Sequence, residues 1–397
     1  VDVFIVGGAA AGLSLASCLL EVGIDNIIVA EKFPRCGDQW RNRYHRLHLH
    51  DIKRECNLPY FPMPEEYPCY PSRLEYANYL DLYAKKRNIP VFCSHTVESA
   101  TFNEDKNLWE ITVFDTERDV KKNFTSNQLV IANGVYNDPN IPTIQGESNF
   151  KGLIIHSANY TNAGDLDLKD KKVLVVGTGN SGGEISIDLI EHGARPTILQ
   201  RSAFTILPRW EMGFVQRLRY ILKPFIYFPF AYIYAPIFIV CVDLSFIITT
   251  KLIYGNLEKY NISIDYKPPL IKFLLTANPP LVDIGTIKLI KEGKIKVEKG
   301  TIQQFEGDYG VRFNNGNFEE YDAIVYATGY KFVSGHQDFL DKEICDVIGS
   351  GLQSLRQFTI LPGRESAYPN LWFIWGRLQM IRDIAPGMAL SLKKKLG

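Results

Sequence analysis

The sequence predicts an α/β protein built from two parallel-sheet domains, the second inserted in the first, with a small antiparallel sheet as an accessory. Three observations carry this expectation. A short apolar strand, a glycine-rich turn, a helix and a return strand occur in that order twice, at the start of the chain and again after Lys172. Two further buried-type strands end in the same Ala-X-Gly pattern, at Ala132-Asn133-Gly134 and Ala327-Thr328-Gly329, and bracket the second copy. At 397 residues the chain is also longer than one hydrophobic core usually supports.

The first copy opens with Val3-Phe4-Ile5-Val6, an apolar run of the kind buried on both faces of a parallel sheet. Gly7-Gly8-Ala9-Ala10-Ala11-Gly12 turns it into a helix from Leu13 to about Glu21, and Ile27-Ile28-Val29-Ala30 returns to end at Glu31. This βαβ unit is Rossmann-like: a pyrophosphate sits on the helix N-terminus beside Gly7, Gly8, Ala9, Ala11 and Gly12, and the Glu31 carboxylate accepts hydrogen bonds from an adenosine ribose. Ala9 stands where a second glycine is usual, and its methyl group crowds the phosphates.

Residues 40–83 are rich in aromatic side chains but show no period, and five prolines interrupt them, so irregular chain packed over a cofactor is expected. Residues 91–102 and 109–114 have the pattern of antiparallel strands joined by a turn near Asn103-Glu104-Asp105. The strand Gln128-Leu129-Val130-Ile131 leads to Ala132, Asn133 and Gly134, where a glycine just past a buried strand allows another backbone or a ligand to come close. Pro139 and Pro142 mark a crossover linker.

In the second copy Lys172-Val173-Leu174-Val175-Val176 leads into Gly177-Thr178-Gly179-Asn180-Ser181-Gly182, a helix through Ile190, and the return strand Thr197-Ile198-Leu199. Nineteen residues separate Gly182 from Arg201, as they separate Gly12 from Glu31. Arg201, with Ser202, replaces the acid, and a guanidinium fork suits a ribose phosphate. The contrast reads as FAD in the first copy and NADPH in the second. The expected domains are 1–139 with 329–397 for FAD, and 140–328 for NADPH with an apolar insert at about 213–254.

Equal numbers of acidic and basic side chains, 44 of each, leave no net field to draw the molecule to nucleic acid. Seven scattered cysteines without a CxxC pair argue against a zinc knuckle, a redox dithiol or a disulfide framework, and favour a reduced, cytoplasmic setting. The sequence opens directly on the first strand, without a starting methionine, and no signal segment is expected within it. Residues 224–250 carry Asp243 as their only charge, but Pro224, Pro229 and Pro236 break the run. With Arg217, Arg219 and Lys223 beside it, the run suits a peripheral contact with the cytosolic face of a membrane; a substrate channel or a homodimer contact are the alternatives.

Phe150, Gly152, His156 and Tyr160 match FxGxxxHxxxY, the fingerprint of flavin-containing and related class B monooxygenases, and both glycine motifs flank it in the expected order. Glu31-Lys32 followed by Gly37-Asp38-Gln39-Trp40 resembles the ExxxxxGGxW segment of that superfamily, with Asp38 in place of a glycine. Val282-Asp283-Ile284-Gly285-Thr286 and Ile295-Lys296-Val297 resemble the YUCCA branch, whereas Trp375-Gly376-Arg377-Leu378-Gln379 is similar to the animal-type heteroatom-oxygenating enzymes. The resemblance implies cofactor contacts at Lys32, Gln39 and Trp40, a loop of Leu49, His50 and Asp51 that meets flavin and nicotinamide, and a positioning role for His156. It implies that NADPH reduces FAD, that dioxygen adds to give a C4a-(hydro)peroxyflavin, and that one oxygen atom passes to a small organic substrate.

Asn133, then Asn180, are uncharged amides placed to reach the flavin edge, and Gln379 is the third candidate catalytic residue. Oxidative decarboxylation of a 2-oxo acid such as indole-3-pyruvate, N- or S-oxygenation, and an NADPH oxidase or flavin reductase remain open. Two histidines and a carboxylate at His48, His50 and Asp51 are iron-ligand types, but in an extended segment Asp51 points away from the histidines, so no metal is expected. A disulfide reductase needs a cysteine pair near the flavin, where Cys36 stands alone in sequence.

Overall fold

The computed structural model describes residues 1–397 except 212, 215, 217–230, 270, 271, 273–278, 332, 333, 351–353, 355, 356 and 358, and describes residues 231–239 by backbone alone. The chain divides into two compact units: Val1–Asn42 with Ile52–Pro139 and Tyr330–Gly397, and Arg43–Asp51 with Asn140–Gly329. Residues 43–51 therefore cluster with the second unit, apart from the rest of the expected 1–139 segment.

The first unit is built on a six-stranded sheet in the order Arg364–Glu365, Leu371–Phe373, Gln128–Ile131, Val3–Val6, Ile27–Ala30, Val91–Phe92. All neighbours are parallel except the outermost pair, Arg364–Glu365 with Leu371–Phe373. Every residue of Val3–Val6, Ile27–Ala30 and Gln128–Ile131 is buried, as central parallel strands require. The first helix spans Ala10–Glu21 and starts three residues before Leu13, because Ala9 already has extended N-cap geometry and its carbonyl accepts the first helical bond from Leu13 N. The closing helix Leu378–Leu396 packs against it, and Lys393 Nζ donates to Val22 O at 2.7 Å.

Within residues 40–83 the expectation of irregular chain fails for Arg73–Lys86, a regular helix. Ser72 and Glu75 form a reciprocal capping box, which satisfies donors at the helix start. Tyr76, Tyr79 and Tyr83 lie on its buried face. Their phenols pin the proline-rich chain beside them: Tyr79 Oη donates to Phe61 O at 2.6 Å and accepts from Leu58 N, while Tyr83 Oη donates to Pro59 O at 2.8 Å. Each such bond contributes about 1 kcal/mol, so coil without a period of its own is fixed by tertiary partners.

The accessory sheet has three antiparallel strands, His95–Asn103, Leu108–Asp115 and Val120–Ser126. Val91–Phe92, expected to belong to it, joins the edge of the parallel sheet instead.

The second unit carries a five-stranded parallel sheet in the order Lys296–Lys299, Arg195–Gln200, Lys172–Val176, Ala323–Tyr326, Leu153–His156. Helix Asn180–Glu191 follows the second glycine turn. A second antiparallel sheet, Ile302–Glu306, Gly310–Phe313 and Phe318–Glu320, was not foreseen from sequence. Of the apolar insert, Ala231–Tyr254 is a helix whose buried side carries Val242, Asp243, Phe246, Thr250 and Tyr254 and whose outer side exposes Val240, Leu244, Ile248 and Leu252. Arg217, Arg219, Lys223 and residues 224–230 lie outside the described residues. Among the described residues no helix is long and apolar enough to cross a membrane.

Candidate functional site

The first glycine turn is closed by its own backbone. Gly7 has φ +111, and a Cβ there would lie 2.6 Å from Ala132 O; a Cβ on Gly12 would lie 1.9 Å from Gly7 O. Both contacts are impossible for a real side chain, so these positions bring strand, helix and the Ala132 crossing chain together. Ala9, by contrast, sits at φ −97 and ψ −163, a conformation any residue adopts. No side chain caps the helix that follows and no acid occupies its first turn, which leaves backbone N–H groups available to a pyrophosphate.

Glu31 is 6% exposed; its Oε2 accepts from Gly8 N at 2.7 Å and its Oε1 from Phe33 N at 2.9 Å. Burial pushes its carboxyl above the usual range, and the two N–H donors act against that. The carboxylate is thereby fixed one residue past the second strand, as a ribose acceptor requires. The turn, the open helix end and the fixed acid together fit an FAD adenosine diphosphate moiety.

The second turn repeats the construction. Gly177 has φ +123 and its added Cβ would lie 2.6 Å from Ala327 O; that of Gly182 would lie 2.1 Å from Gly177 O. Gly179, the N-cap, has φ −78 and ψ −175, and a Cβ there would meet nothing within 4 Å. Helix Asn180–Glu191 again lacks a side-chain cap and a first-turn acid. Arg201 and Ser202 are exposed at the end of Arg195–Gln200, and Arg201 makes no ion pair among the described residues.

Gln200, which the sequence did not single out, sets that corner. Only 2% exposed, it donates from Nε2 to Ser202 O at 3.1 Å and to Ser263 O at 2.6 Å, and accepts from Ser263 N at 3.0 Å. These residues fit NADPH, with the guanidinium free to meet a phosphate.

At the glycines of the two Ala-X-Gly ends no other backbone comes close among the described residues. Gly134 and Gly329 both have φ +77, and neither added Cβ would touch protein within 4 Å, so glycine serves the left-handed backbone there. The close approach belongs to Gly7 and Gly177, which Ala132 and Ala327 contact. Thr328 Oγ1 donates to Asn140 O at 2.5 Å.

Asn133 is half-buried with its amide against Gly335, where an added Cβ would lie 2.9 Å from Nδ2. Asn180 Oδ1 accepts from Val282 N at 2.7 Å, joining the helix start to strand Leu281–Asp283. That bond gives Asn180 a positioning role within the second unit.

His156 is 3% exposed. Its Nδ1 accepts from Ala158 N at 3.0 Å, which leaves the proton on Nε2 to donate to Gly329 O at 3.0 Å. Burial lowers its pKa, Gly329 O opposes and the Arg43 charge assists, so the ring is a neutral tie from strand Leu153–His156 to the Gly329 turn that follows strand Ala323–Tyr326. Tyr160 Oη donates to Asp188 at 2.6 Å on helix Asn180–Glu191. The aromatic and histidine positions of the fingerprint thus wire the second unit.

Leu49, His50 and Asp51 are also held by the second unit. Leu49 O accepts from Arg209 at 3.2 Å, His50 Nε2 pairs with buried Glu184 on helix Asn180–Glu191, and Asp51 accepts from Gln216. The Tyr44 phenol faces Ser181 and Glu184, and burial holds it protonated. His48 instead turns to Arg46 O. Among the described residues no three His, Cys, Asp or Glu side chains gather as a metal site.

In the first unit Lys32 is exposed over the Phe33 ring, Gln39 Nε2 reaches Tyr136 O at 3.5 Å, and Trp40 packs edge-on against Tyr76 at 4.8 Å between centroids. Gln379 is buried at the start of Leu378–Leu396. Cys36 is a buried free cysteine.

Residues 4–226 match the family model described as pyridine nucleotide-disulphide oxidoreductase. The chain is 38% identical over 330 residues to the probable indole-3-pyruvate monooxygenase YUCCA10 of Arabidopsis thaliana, covering 83% of this chain and 81% of the relative. It is 34% identical over 328 residues to the indole-3-pyruvate monooxygenase YUCCA1 of Oryza sativa subsp. japonica, covering 82% and 76%. Among solved structures, the NADP+-bound cyclohexanone monooxygenase of Rhodococcus sp. Phi1 superposes with a TM-score of 0.71 at 16% identity, covering 99% of this chain and 84% of that one. The flavin-containing monooxygenase of Stenotrophomonas maltophilia gives 0.67 at 18% identity, covering 100% and 96%.

Proposed function

We infer what this chain does from where it belongs: it is a member of the pyridine nucleotide-disulphide oxidoreductase family and, within it, of the YUCCA flavin monooxygenases. It is an NADPH-dependent flavin monooxygenase that uses FAD, dioxygen and a small-molecule substrate. The reading we put forward for its reaction is oxidative decarboxylation of a 2-oxo acid of the indole-3-pyruvate type. The names of the relatives support that substrate class. The observation that carries the cofactor assignment is the pair of matched turns ending in a buried carboxylate at Glu31 and an exposed guanidinium at Arg201.

In this reading the first unit holds FAD and the second holds NADPH. Gly7, Gly8, Ala9, Ala11 and Gly12 would carry the FAD pyrophosphate and Glu31 its ribose. Gly177, Gly179, Ser181 and Gly182 would carry that of NADPH, with Arg201 and Ser202 on the 2′-phosphate. When bound, the two cofactors supply hydride transfer and oxygen activation. The protein's own part is orientation and dryness. Asn133 offers an uncharged amide, Asn180 and His156 fix the second unit's strands and helix, and Ala132, Gly134, Ala327, Thr328 and Gly329 shape the crossing chain.

The test is product analysis with NADPH and dioxygen. One indole-3-acetate and one carbon dioxide per NADPH consumed is expected from indole-3-pyruvate. A thioether or tertiary amine turned over instead would favour heteroatom oxygenation, the reading that the Trp375 to Gln379 segment supports. NADPH consumption that yields only hydrogen peroxide with every substrate would make the protein an oxidase.

A peripheral membrane contact is a second proposal, in preference to a homodimer contact. Val240, Leu244, Ile248 and Leu252 recur every fourth residue on one exposed stripe of a helix, with Leu252 79% exposed. Failure to float with anionic liposomes would remove it.

A further inference from the structure

Helix Asn180–Glu191, which follows the second glycine turn, carries three acids and no lysine or arginine. Glu184, Asp188 and Glu191 recur at the spacing of one helix face, and each is met by a group from another part of the second unit. Asp188 accepts from Tyr160 Oη at 2.6 Å and from Ala163 N at 2.8 Å, Glu191 pairs with Arg46, and Glu184 Oε1 pairs with His50 Nε2. Arg46 and His50 belong to chain 43–51, which follows the helix in the opposite direction: Arg46 meets the last helical residue, and His50 meets an acid two turns nearer the start. His45 N donates to Thr161 O at 2.8 Å and Arg209 to Leu49 O at 3.2 Å, so both ends of this stretch are fastened to the same unit.

Glu184 stands apart from the other two acids. It is 2% exposed, and its Oε2 is buried with no hydrogen-bond donor among the described residues, so the pairing of this carboxyl falls to His50. It is also the acid closest to the open end of the helix: the step from Asn180 to Glu184 advances about 6 Å along the axis, and the Cα–Cβ bond tilts back toward the N-terminus. That end has no side-chain cap and no first-turn acid, and its N–H groups are those that an NADPH pyrophosphate takes. A bare carboxylate there opposes the phosphates that the helix end attracts.

With the second turn assigned to NADPH as above, on which the inference rests, we propose that the Glu184–His50 pair is a determinant of NADPH affinity, in which His50 covers the carboxylate nearest the phosphate-binding end of the helix. Glu184 is then a positioning residue that acts through His50. The acid holds the imidazole, and with it the chain at Leu49, against the helix; the imidazole in return shields the phosphates from the acid. Removing the imidazole alone strands a buried carboxylate without its partner, whereas removing both groups leaves an uncharged site. The two changes are therefore not additive.

NADP+ binding to the FAD-loaded protein is measured by titration calorimetry in the parent, His50→Leu, Glu184→Gln, the double variant and, as the reference for phosphate recognition, Arg201→Ala. His50→Leu is expected to raise Kd about 10-fold. Glu184→Gln is expected to bind as tightly as the parent or up to about threefold more tightly, and the double variant to return to within about threefold of the parent. A pair that only braces the fold gives the opposite pattern, with Glu184→Gln weaker and the double variant weakest. The proposal is overturned if Glu184→Gln loses more than about threefold in affinity, or if the double variant binds no better than His50→Leu. Where His50→Leu does not fold, Glu184→Gln and the double variant decide against the parent by the same limits. A parent that binds no NADP+, or binds it equally after Arg201→Ala, removes the NADPH assignment and the proposal with it; failure of the pair alone leaves the parent and Arg201→Ala as expected.

Discussion

The two glycine turns are alike where backbone meets backbone and unlike where a ligand would sit. Gly7 and Gly177 share a left-handed backbone and the same 2.6 Å approach to an alanine carbonyl, and Gly12 and Gly182 abut the first glycine of their own turn. At the middle position, one copy has Ala9 and the other Gly179 in nearly the same extended conformation. At the strand end, one has a buried acid tied by two amides and the other an exposed arginine. Positions closed by the fold are therefore fixed by sterics, and positions facing the cofactor are free to encode which cofactor it is.

The strongest way to break this comparison is at the closed positions. Gly12→Ala and Gly182→Ala each place a methyl group inside a backbone carbonyl, at an expected cost of at least about 3 kcal/mol. Gly12→Ala is expected to yield protein without bound flavin, and Gly182→Ala protein that keeps flavin but is not reduced by NADPH. Absorbance spectra and anaerobic reduction read the two outcomes, and equal loss of both functions in both variants would show that the turns are not separable.

Next come the strand ends. Arg201→Ala is expected to raise KM for NADPH about 10- to 100-fold while moving that for NADH less than about twofold. Glu31→Ala is expected to weaken FAD retention without that NADPH signature. A parallel rise for both pyridine nucleotides would remove Arg201 from the phosphate.

His156 sharpens the comparison from inside the second unit. Replacing it by Phe removes two hydrogen bonds, about 1–2 kcal/mol in all, read as a lower Tm. Its pKa is lowered in the folded state, so the unfolded chain binds more protons as pH falls. Its stabilising contribution is thus present above the ordinary histidine value of about 6.5 and lost as pH drops through the lower folded value. The variant should show a flatter dependence of Tm on pH between neutrality and pH 5; an unchanged slope would refute the neutral tie.

The smallest effects are expected at the open middle positions. Ala9→Gly and Gly179→Ala should each change stability by less than about 1 kcal/mol, since neither conformation demands glycine. Affinity is expected to shift a few-fold, tighter for FAD in Ala9→Gly and weaker for NADPH in Gly179→Ala, as measured by titration.

Apolar period and glycine spacing made the parallel strands legible, with Val3–Val6, Ile27–Ala30, Lys172–Val176 and Ala323–Tyr326 lying where the patterns place them. What was missed depends on partners distant in sequence. Helix Arg73–Lys86 carries a readable start signal in Ser72 and Glu75, but its tyrosines and flanking prolines hide the period. The Glu184–His50 pair and the Gln200 corner follow from loops meeting across the fold, and no local pattern reports them. Asn180 was legible as polar and near the turn, though not as the acceptor for Val282 N.

The pairing of Leu371–Phe373 with Gln128–Ile131, and of the closing helix with the first, sets an order of assembly. The second unit has all its strands once synthesis passes residue 329, while the first still waits for a central strand and a covering helix. During translation the inserted body can therefore mature before the body that encloses it in sequence, and strand Gln128–Ile131 must remain unpaired on one side until the ribosome delivers the last fifth of the polypeptide.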